Sequence, residues 1–222
     1  MKKAIYYGII SSILVIFGWQ FISAEIKNQS ATEPMSEQPD EVKVPEDAGY
    51  ATFGGGCFWC VEEVFHQVPG VLSAVSGYMG GSASDAHYKA VSSGRTQHAE
   101  VVQLRYDPGV VSYPELLDHF FDSHDPTTLN RQGADRGPQY RSVIFYHDDL
   151  QKEAAEAKIV ELTEVEKFRN DIVTEVSEAS EFHVAESYHQ DFARKNPGHG
   201  YLRGVLYPKL RKLGLKIPAA EE

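Results

Sequence analysis

Both cysteines of this chain lie in one short motif, in which three glycines precede Cys57 and a Phe-Trp pair separates it from Cys60. A thiolate is the nucleophilic form of cysteine, and Cys-x-x-Cys spacing at the start of a helix lowers the pKa of a thiol. Two thiols at this spacing can also convert one oxidised sulfur into a disulfide. The motif therefore predicts redox chemistry centred on one reactive sulfur.

A strand, a tight turn and a helix are predicted to hold this motif. The β-type run Tyr50 to Phe53 precedes the glycines. Apolar residues follow at helical spacing, at Val61, Val64, Phe65 and Val68. Glycine lets the backbone turn sharply and leaves amide donors directed at an anion. We therefore expect Cys57 in the first turn of a helix, where the helix dipole favours the thiolate.

Three other interpretations of a Cys-x-x-Cys pair fit this sequence less well. A structural zinc site needs four ligands, and the chain has no second cysteine pair. His98-Ala99-Glu100 matches the H-x-E part of a zinc deaminase signature, but the cysteine pair there follows a proline and comes after H-x-E. A structural disulfide would close such a short loop that it would gain little stability.

The N-terminus predicts an export segment. Lys2 and Lys3 precede an uncharged stretch from Ala4 to Ala24, which is long enough to cross a bilayer. Ser23-Ala24 offers small residues for cleavage, but Ile22 is not small, so we expect residues 1–24 to stay as an anchor. The positive flank before the apolar run predicts that the rest of the chain is exported, to the periplasm or the outer face of the cell membrane.

Residues 25–47 read as a disordered acidic tether. They contain three prolines, seven acidic residues and two lysines, and almost no large apolar side chains. Such a segment cannot bury enough surface to offset the entropy of ordering. The formal net charge of the whole chain is −11, and no cluster of Lys and Arg with aromatic residues indicates a nucleic-acid partner.

Residues 48–217 are predicted to form a single α+β domain. The predicted strands are Tyr50–Gly54, Val71–Tyr78, Glu100–Tyr106, Ser142–Tyr146 and Asp171–Val176. The predicted helices are Ser112–Phe121, which begins with a Ser112/Glu115 capping box, and Asp148–Phe168. Long irregular stretches around residues 77–94 and 124–140 carry most of the polar and aromatic clusters, and loops of that length are usually functional.

Several motifs in these loops and strands occur together in one order. They are Gly-Cys-Phe-Trp-Cys at 56–60, Gly-Tyr-Met-Gly-Gly at 77–81, His-Ala-Glu at 98–100, Tyr-Asp-Pro at 106–108, His-Asp-Pro-Thr-Thr at 124–128, Asn-Arg-Gln-Gly at 130–133, Gln-Tyr-Arg-Ser at 139–142 and Ala-Glu-Ser-Tyr-His-Gln at 185–190. From Tyr50 to about Leu206 the sequence closely resembles the A-type peptide methionine sulfoxide reductases, which reverse a common oxidative lesion. The resemblance implies an α+β two-layer sandwich with a ferredoxin-like mixed sheet and long irregular loops. It also implies reduction of the S epimer of methionine sulfoxide, free or in proteins.

The reaction explains why these residue types are needed. A sulfoxide sulfur is electrophilic, but its oxygen cannot leave as a bare oxide, so a soft nucleophile and a proton donor are required. Cys57 is the predicted nucleophile and Glu100 the predicted general acid. An ordinary glutamate has a pKa of about 4.3 and is almost fully ionised at pH 7, so efficient donation by Glu100 requires burial that raises its pKa.

The resemblance assigns roles to the remaining site residues. Tyr88 and Tyr140 match the hydroxyl donors to the sulfoxide oxygen. Asp135 aligns with an aspartate that orders this network or a water. Phe58 and Trp59 would form the apolar pocket for the substrate methyl group.

Cys60 is predicted to resolve the sulfenic acid left on Cys57, because it is the only other thiol. Some family members resolve the sulfenic acid with a cysteine in a C-terminal tail. This chain differs from them, since residues 202–222 contain no cysteine. The resulting Cys57–Cys60 disulfide would be reduced by an external thioredoxin-like dithiol protein, with no bound cofactor. The alternative enzyme is a general thiol–disulfide oxidoreductase, and a non-catalytic module that binds peptide methionines is a third possibility.

His183, Glu186 and His189 are spaced by three residues, which predicts one face of a C-terminal helix. Such a set can hold a metal ion or simply cap and pack the helix. With no other sign of a metal in the sequence, we expect no metal site.

Overall fold

The computed structural model describes residues 45–219. The predicted anchor at residues 4–24 lies outside this part, as does the predicted tether at 25–47 except for its last three residues. Within residues 45–219, no helix combines the length and the apolar character needed to cross a membrane.

The described part contains strands β1 Gly49–Gly55, β2 Val71–Met79, β3 Ala99–Tyr106, β4 Arg131–Gln132, β5 Asp135–Arg136, β6 Ser142–Tyr146, β7 Glu175–Glu178 and β8 His183–Val184. Its α-helices are α1 Phe58–His66, α2 Tyr88–Val91, α3 Tyr113–Ser123, α4 Asp149–Glu164, α5 Phe192–Lys195 and α6 Tyr207–Lys212. A π-helical turn, Leu202–Leu206, leads into α6.

Six of the strands form one mixed sheet in the order β7-β6-β1-β3-β2-β8. Strand β1 runs antiparallel to β3 and β6, β2 runs antiparallel to β3, and β7 runs parallel to β6. Since α1 connects β1 to β2 and α3 lies between β3 and β6, the four central strands have the β-α-β-β-α-β order of a ferredoxin-like unit. The predicted α+β fold class is confirmed.

The main core lies between one face of this sheet and the helices α1 and α3. Phe53 of β1 stacks on Phe65 of α1 and Phe120 of α3, with ring centroids 5.4 and 5.0 Å apart. A smaller cluster covers the other face and includes Val101 and Phe145, packed against Phe182. Both sheet faces are therefore buried, which explains why β6 is apolar from Val143 to Phe145.

Helix α3 begins as predicted, because Ser112 caps it and Glu115 returns the hydrogen bond. The helix predicted to run to Phe168 instead ends at Glu164. Glu166 adopts a left-handed φ of 50°, and the N–H of Lys167 donates to the carbonyl of Leu162 at 3.0 Å. This C-terminal turn satisfies helix carbonyls and stops the helix before its apolar pattern ends.

The strand predicted at Asp171–Val176 is shifted towards the C-terminus. Strand β7 begins at Glu175, which pairs with Val143 of β6. The N–H of Val173 donates to the carbonyl of Pro126 at 2.8 Å, so this residue is tied to a loop rather than to the sheet. The apolar residues of this segment indicated that a strand lies here, but pairing with β6 decides at which residue the strand starts.

Candidate active site

Cys57 lies at the junction between β1 and α1. It is the N-cap of α1 rather than part of its first turn, with non-helical backbone angles. Its carbonyl accepts the N–H of Cys60 at 3.0 Å, which closes the first turn of the helix. The predicted strand, turn and helix are therefore present, but Cys57 precedes the helix by one residue.

The turn before Cys57 depends on Gly56. This residue has a φ of +99°, and a Cβ atom added there would lie 2.6 Å from Cγ of Gln132. Gln132 belongs to the short β4–β5 hairpin, and its side-chain amide also bonds the backbone of Asp125. The absence of a side chain at Gly56 lets this hairpin close over the turn, which brings Asp135 towards Cys57.

Glu100 lies next to this turn because of the strand register. In the β1–β3 pair Phe53 opposes Val102, so Glu100 is carried towards the glycine end of β1. Its side chain is 2% exposed, and its Oε2 accepts the backbone N–H of Phe58 at 3.1 Å. Burial raises the pKa of Glu100 to about 8, against the opposing effect of that N–H. The carboxyl group is therefore mostly protonated at neutral pH.

The thiol of Cys57 does not have the lowered pKa that the sequence predicts. Burial raises the pKa of Cys57 well above its usual value, and the neighbouring Cys60 and Glu100 add to the effect. Only the backbone N–H of Trp59 opposes it. The prediction considered the helix start alone, whereas desolvation and nearby acidic groups outweigh that favourable dipole here. The hydrogen bond with Cys57 lowers the pKa of Cys60.

A cavity of about 210 Å³ opens above these two groups. Its lining residues are Cys57, Phe58, Trp59, Tyr88, Glu100, Asp135, Tyr140 and Tyr201. All the predicted site residues except Cys60 line it. Cys60 lies beneath the cavity, 2% exposed and hydrogen-bonded to the Cys57 thiol, so it can reach the first sulfur without forming the cavity wall.

The two tyrosines predicted as donors approach from separate loops. Tyr88 opens α2, and its N–H donates to Oε1 of Glu186 at 2.9 Å. Tyr140 ends a short 3-10 turn, in which its N–H donates to the carbonyl of Gly137 at 3.0 Å. Burial and the nearby Glu100 raise the pKa of both phenols. Both hydroxyls therefore remain protonated and able to donate.

Tyr201 is a cavity residue that the sequence analysis missed. Its hydroxyl donates to Oδ2 of Asp135 at 2.5 Å, and its ring packs edge-on against Trp59. Burial raises its pKa, so the hydroxyl stays protonated. The only local signal was a tyrosine among glycines near the C-terminus, and nothing in that pattern indicates that the C-terminal segment folds back over the cavity.

Phe58 and Trp59 form the aromatic wall of the cavity. Residues of the Ala185–Gln190 motif and α5 hold this wall in place. The indole N–H of Trp59 donates to Nδ1 of His189 at 3.1 Å. Phe192 stacks on Trp59 with centroids 3.7 Å apart and planes 10° from parallel. Trp59 is therefore held on one face and at its polar edge, as a preformed apolar surface requires.

The predicted helical face of His183, Glu186 and His189 is wrong. His183 belongs to strand β8, and Glu186 and His189 lie in the turns that follow it. Glu186 instead accepts hydrogen bonds from the Tyr78 hydroxyl and the Tyr88 N–H, both at 2.9 Å. Strand β8 pairs with β2, so these residues do not form the helix that their spacing suggested. The motif supports the cavity through the hydrogen bonds of Glu186 instead.

Comparison with known proteins agrees with this geometry. The family profile described as peptide methionine sulfoxide reductase matches residues 49–220. A peptide methionine sulfoxide reductase MsrA 1 from Rhodopirellula baltica is 50% identical over 179 residues, which cover 81% of this chain and 92% of that protein. An MsrA from Acinetobacter baumannii is 54% identical over 167 residues, which cover 75% of this chain and 95% of that protein.

Solved structures show the same similarity in three dimensions. The reduced form of Mxr1 from Saccharomyces cerevisiae matches with a TM-score of 0.66 and 36% identity, covering 70% of this chain and 89% of that chain. Methionine sulfoxide reductase A of Corynebacterium diphtheriae matches with a TM-score of 0.60 and 33% identity, covering 69% and 77%. With its fold, its cavity and its sequence all in agreement, this chain belongs to the peptide methionine sulfoxide reductase family, as an A-type member.

Proposed function

We propose that this enzyme, which reduces methionine sulfoxide with a thiol, uses Cys57 as the nucleophile and Glu100 as the proton donor. One observation carries the proposal: both groups line the same cavity, and burial keeps the carboxyl group of Glu100 protonated at neutral pH. A protonated acid beside the sulfoxide oxygen makes that oxygen a better leaving group.

The step balances in atoms and electrons. Glu100 gives its proton to the sulfoxide oxygen, and the Cys57 thiol gives its proton to the carboxylate so formed. The S–O bond of the substrate breaks, an S–O bond forms at Cys57, and two electrons pass from Cys57 to the methionine sulfur. Methionine leaves, and Cys57 holds a sulfenic acid.

This order explains why a raised thiol pKa is compatible with a nucleophilic role. The thiol stays protonated while the cavity is empty, because burial and Glu100 disfavour the thiolate. Protonation of the sulfoxide oxygen places positive charge beside Cys57 and creates a proton acceptor at Glu100. The thiolate is therefore favoured when an oxidised substrate is bound, and Cys57 reacts more slowly with other electrophiles while the thiol is protonated.

The phenols of Tyr88 and Tyr140 would hold the sulfoxide oxygen as charge develops on it. Both stay protonated, and both line the cavity with Glu100. Asp135 would orient this network through the Tyr201 hydroxyl. Phe58 and Trp59 would contact the substrate methyl group, which offers area but no hydrogen bonds.

The Cys57–Cys60 pair would complete the oxidative half of the cycle. The Cys60 sulfur attacks the sulfenic acid, an S–S bond forms, and water leaves. The two thiols already contact each other, so this step needs little movement of the first helical turn. The chain contains no third cysteine, so a separate thioredoxin-like dithiol protein must supply the two electrons that restore both thiols.

Stereochemistry provides the direct test of this assignment. Because the thiol, the oxygen donors and the methyl pocket have fixed positions, the cavity accepts one handedness of the sulfoxide. We expect single turnover without an external reductant to give about one methionine per enzyme from the S epimer, with the loss of both free thiols. Equal yield from the R epimer, or full retention of free thiols after turnover, would contradict the proposal.

Glu186 is expected to act through Tyr88. Replacing Glu186 with alanine removes the acceptor for the Tyr88 N–H and the Tyr78 hydroxyl, each a charge-assisted hydrogen bond. We expect Glu186→Ala to lower the single-turnover rate about 10–100-fold, the range that the loss of one such bond explains.

The matched control is Glu181→Ala, which changes an exposed carboxylate of the same segment and should leave the rate unchanged. If Glu186 works by placing Tyr88, combining Glu186→Ala with Tyr88→Phe should slow the reaction by less than the product of the two single effects. Independent, multiplicative losses would show that Glu186 does not act through this tyrosine.

The uncharged stretch from Ala4 to Ala24 after Lys2 and Lys3 supports an exported, membrane-anchored enzyme that repairs oxidised proteins of the cell envelope. Full-length chain should sediment with membranes and resist extraction by salt, whereas a chain starting at residue 25 should not. Recovery of the full-length chain in the soluble fraction would reject the anchor.

A further inference from the structure

A second group of polar side chains is buried behind the aromatic wall of the cavity. Glu62 and His66 lie on α1, four residues apart, and therefore on one face of the helix. Asp191 precedes α5 with a left-handed φ of 54° and approaches the same face. Ser76 of β2 lies beside the Glu62 carboxyl group. The mechanism uses none of these residues.

Three atoms of this cluster form no well-aligned hydrogen bond among the described residues, although the Ser76 hydroxyl lies beside the Glu62 carboxyl group and Asp191 lies beside His66. They are Oε1 of Glu62, Nε2 of His66 and Oγ of Ser76, and all three are buried. Glu62 is 1% exposed, so solvent does not satisfy its carboxyl group. Isolated buried polar atoms are rare in native proteins and usually mark a bound water or ion. Three of them in one place indicate a common partner.

The spacing of the atoms suits a metal ion. One ligand atom each from Glu62, His66 and Asp191 lies within 4.8 Å of the others. Nε2 of His66 is 3.1 Å from Oδ1 of Asp191, although the two do not align as a hydrogen bond. Two ligands of a tetrahedral zinc ion with bonds of about 2.0–2.1 Å are roughly 3.3 Å apart. A small shift of Glu62 would complete the set.

The charges around the cluster also leave room for a cation. Lys195 contacts Oδ2 of Asp191 at 3.3 Å, on the oxygen that does not face His66. Arg194 lies near the cluster, but it pairs with Glu63 at 2.9 Å, which offsets part of its charge. Glu62 forms no ion pair with Lys or Arg among the described residues, and it is 1% exposed. A divalent ion would supply the positive charge that this buried carboxyl group lacks.

We propose that Glu62, His66 and Asp191 bind a structural zinc ion, with the Ser76 hydroxyl as the fourth ligand. Imidazole and carboxylate oxygens are ordinary zinc ligands, whereas a serine hydroxyl is an unusual one, and four protein ligands make a closed, non-catalytic site. The ion would join α1 to α5. Because Phe192 of α5 stacks on Trp59, this link would hold the aromatic wall of the cavity in place.

The test uses the full-length chain carrying Cys57→Ser and Cys60→Ser, since the two thiols would otherwise bind zinc themselves. After removal of metal with a chelator, calorimetric titration with Zn²⁺ should show one site per chain. Zinc at about 100 times its dissociation constant should raise the midpoint of thermal unfolding by about 5–10 °C.

Two variants in that background identify the ligands. His66→Gln and Glu62→Gln should each weaken zinc binding at least about 10-fold, because even partners outside the ligand shell contribute that much. The matched control is His119→Gln, on α3, which should bind zinc unchanged. His66 is less buried than Glu62, so its variant keeps the test valid if Glu62→Gln folds poorly. Absence of saturable zinc binding, or undiminished binding by His66→Gln, would overturn the proposal.

Discussion

Cys57→Ser is expected to abolish reduction of methionine sulfoxide, with a loss of at least about 10⁴-fold in single-turnover rate. A serine hydroxyl at this position is a far weaker nucleophile than a thiolate. It also cannot accept the substrate oxygen to form a sulfenic acid. The measurement is the methionine released per enzyme in the absence of any reductant, with substrate in excess.

The matched control is Cys60→Ser, which changes the neighbouring thiol by the same single atom. This variant should still release close to one methionine per enzyme and then stop, because Cys57 reacts but its sulfenic acid is not resolved. A reagent specific for sulfenic acids should label it after turnover. If Cys60→Ser gives no methionine and Cys57→Ser remains active, the two cysteines have the opposite roles.

Glu100→Gln is expected to slow the sulfoxide step by about 10²–10⁴-fold, the usual contribution of a general acid. Glutamine has nearly the same shape, and its carbonyl can still accept the N–H of Phe58, so the cavity should keep its form. It cannot give a proton to the substrate oxygen. Alkylation of Cys57 by a small reagent should persist, which separates loss of the acid from loss of the thiol.

The role of Glu100 as an acid also predicts the direction in which the rate changes with pH. Only the protonated form of Glu100 can donate, and burial raises its pKa to about 8. The single-turnover rate of the wild type should therefore fall as pH rises through about 8, and Glu100→Gln should lack this descending limb. A wild-type rate that already falls between pH 4 and 6 would show an ordinary, exposed carboxylate instead.

The pH dependence of the free energy of unfolding reports the burial of Glu100 in the absence of substrate. The folded pKa of Glu100 lies above its usual value of 4.5, so the folded state holds the proton more tightly than the unfolded chain. The free energy of unfolding should then decrease as pH rises from about 4.5 to about 8, by up to about 5 kcal/mol from this group. Glu100→Gln should lose that part of the pH dependence.

Much of the site follows from the sequence because its chemistry depends on residue types in local motifs. The glycine turn before Cys57, the cysteine pair and the helix that follows are properties of about ten adjacent residues, and the strand and capping patterns around them are also local. The α+β class follows from the same patterns together with the family resemblance. Cys57 and Glu100 could therefore be named from their chemistry before any coordinates were known, whereas the family resemblance named Tyr88 and Tyr140.

Other features depend on contacts between distant segments, which no local pattern contains. The strand register places Glu100 beside the glycine turn. Burial by the surrounding segments then raises the pKa of its carboxyl group, so that it holds a proton at neutral pH. The same burial reverses the predicted pKa shift of Cys57. Tyr201 and His189 join the site through folding of the C-terminal segment over α1.

The physical reason for this division is the distance over which each kind of interaction acts. Residue identity and turn chemistry are set within a few bonds, so the sequence by itself determined which atoms are the candidates for reaction. Desolvation and the pairing of charges depend on everything within several ångströms in space. Only the tertiary structure could therefore decide which of those atoms carry a proton when the substrate arrives.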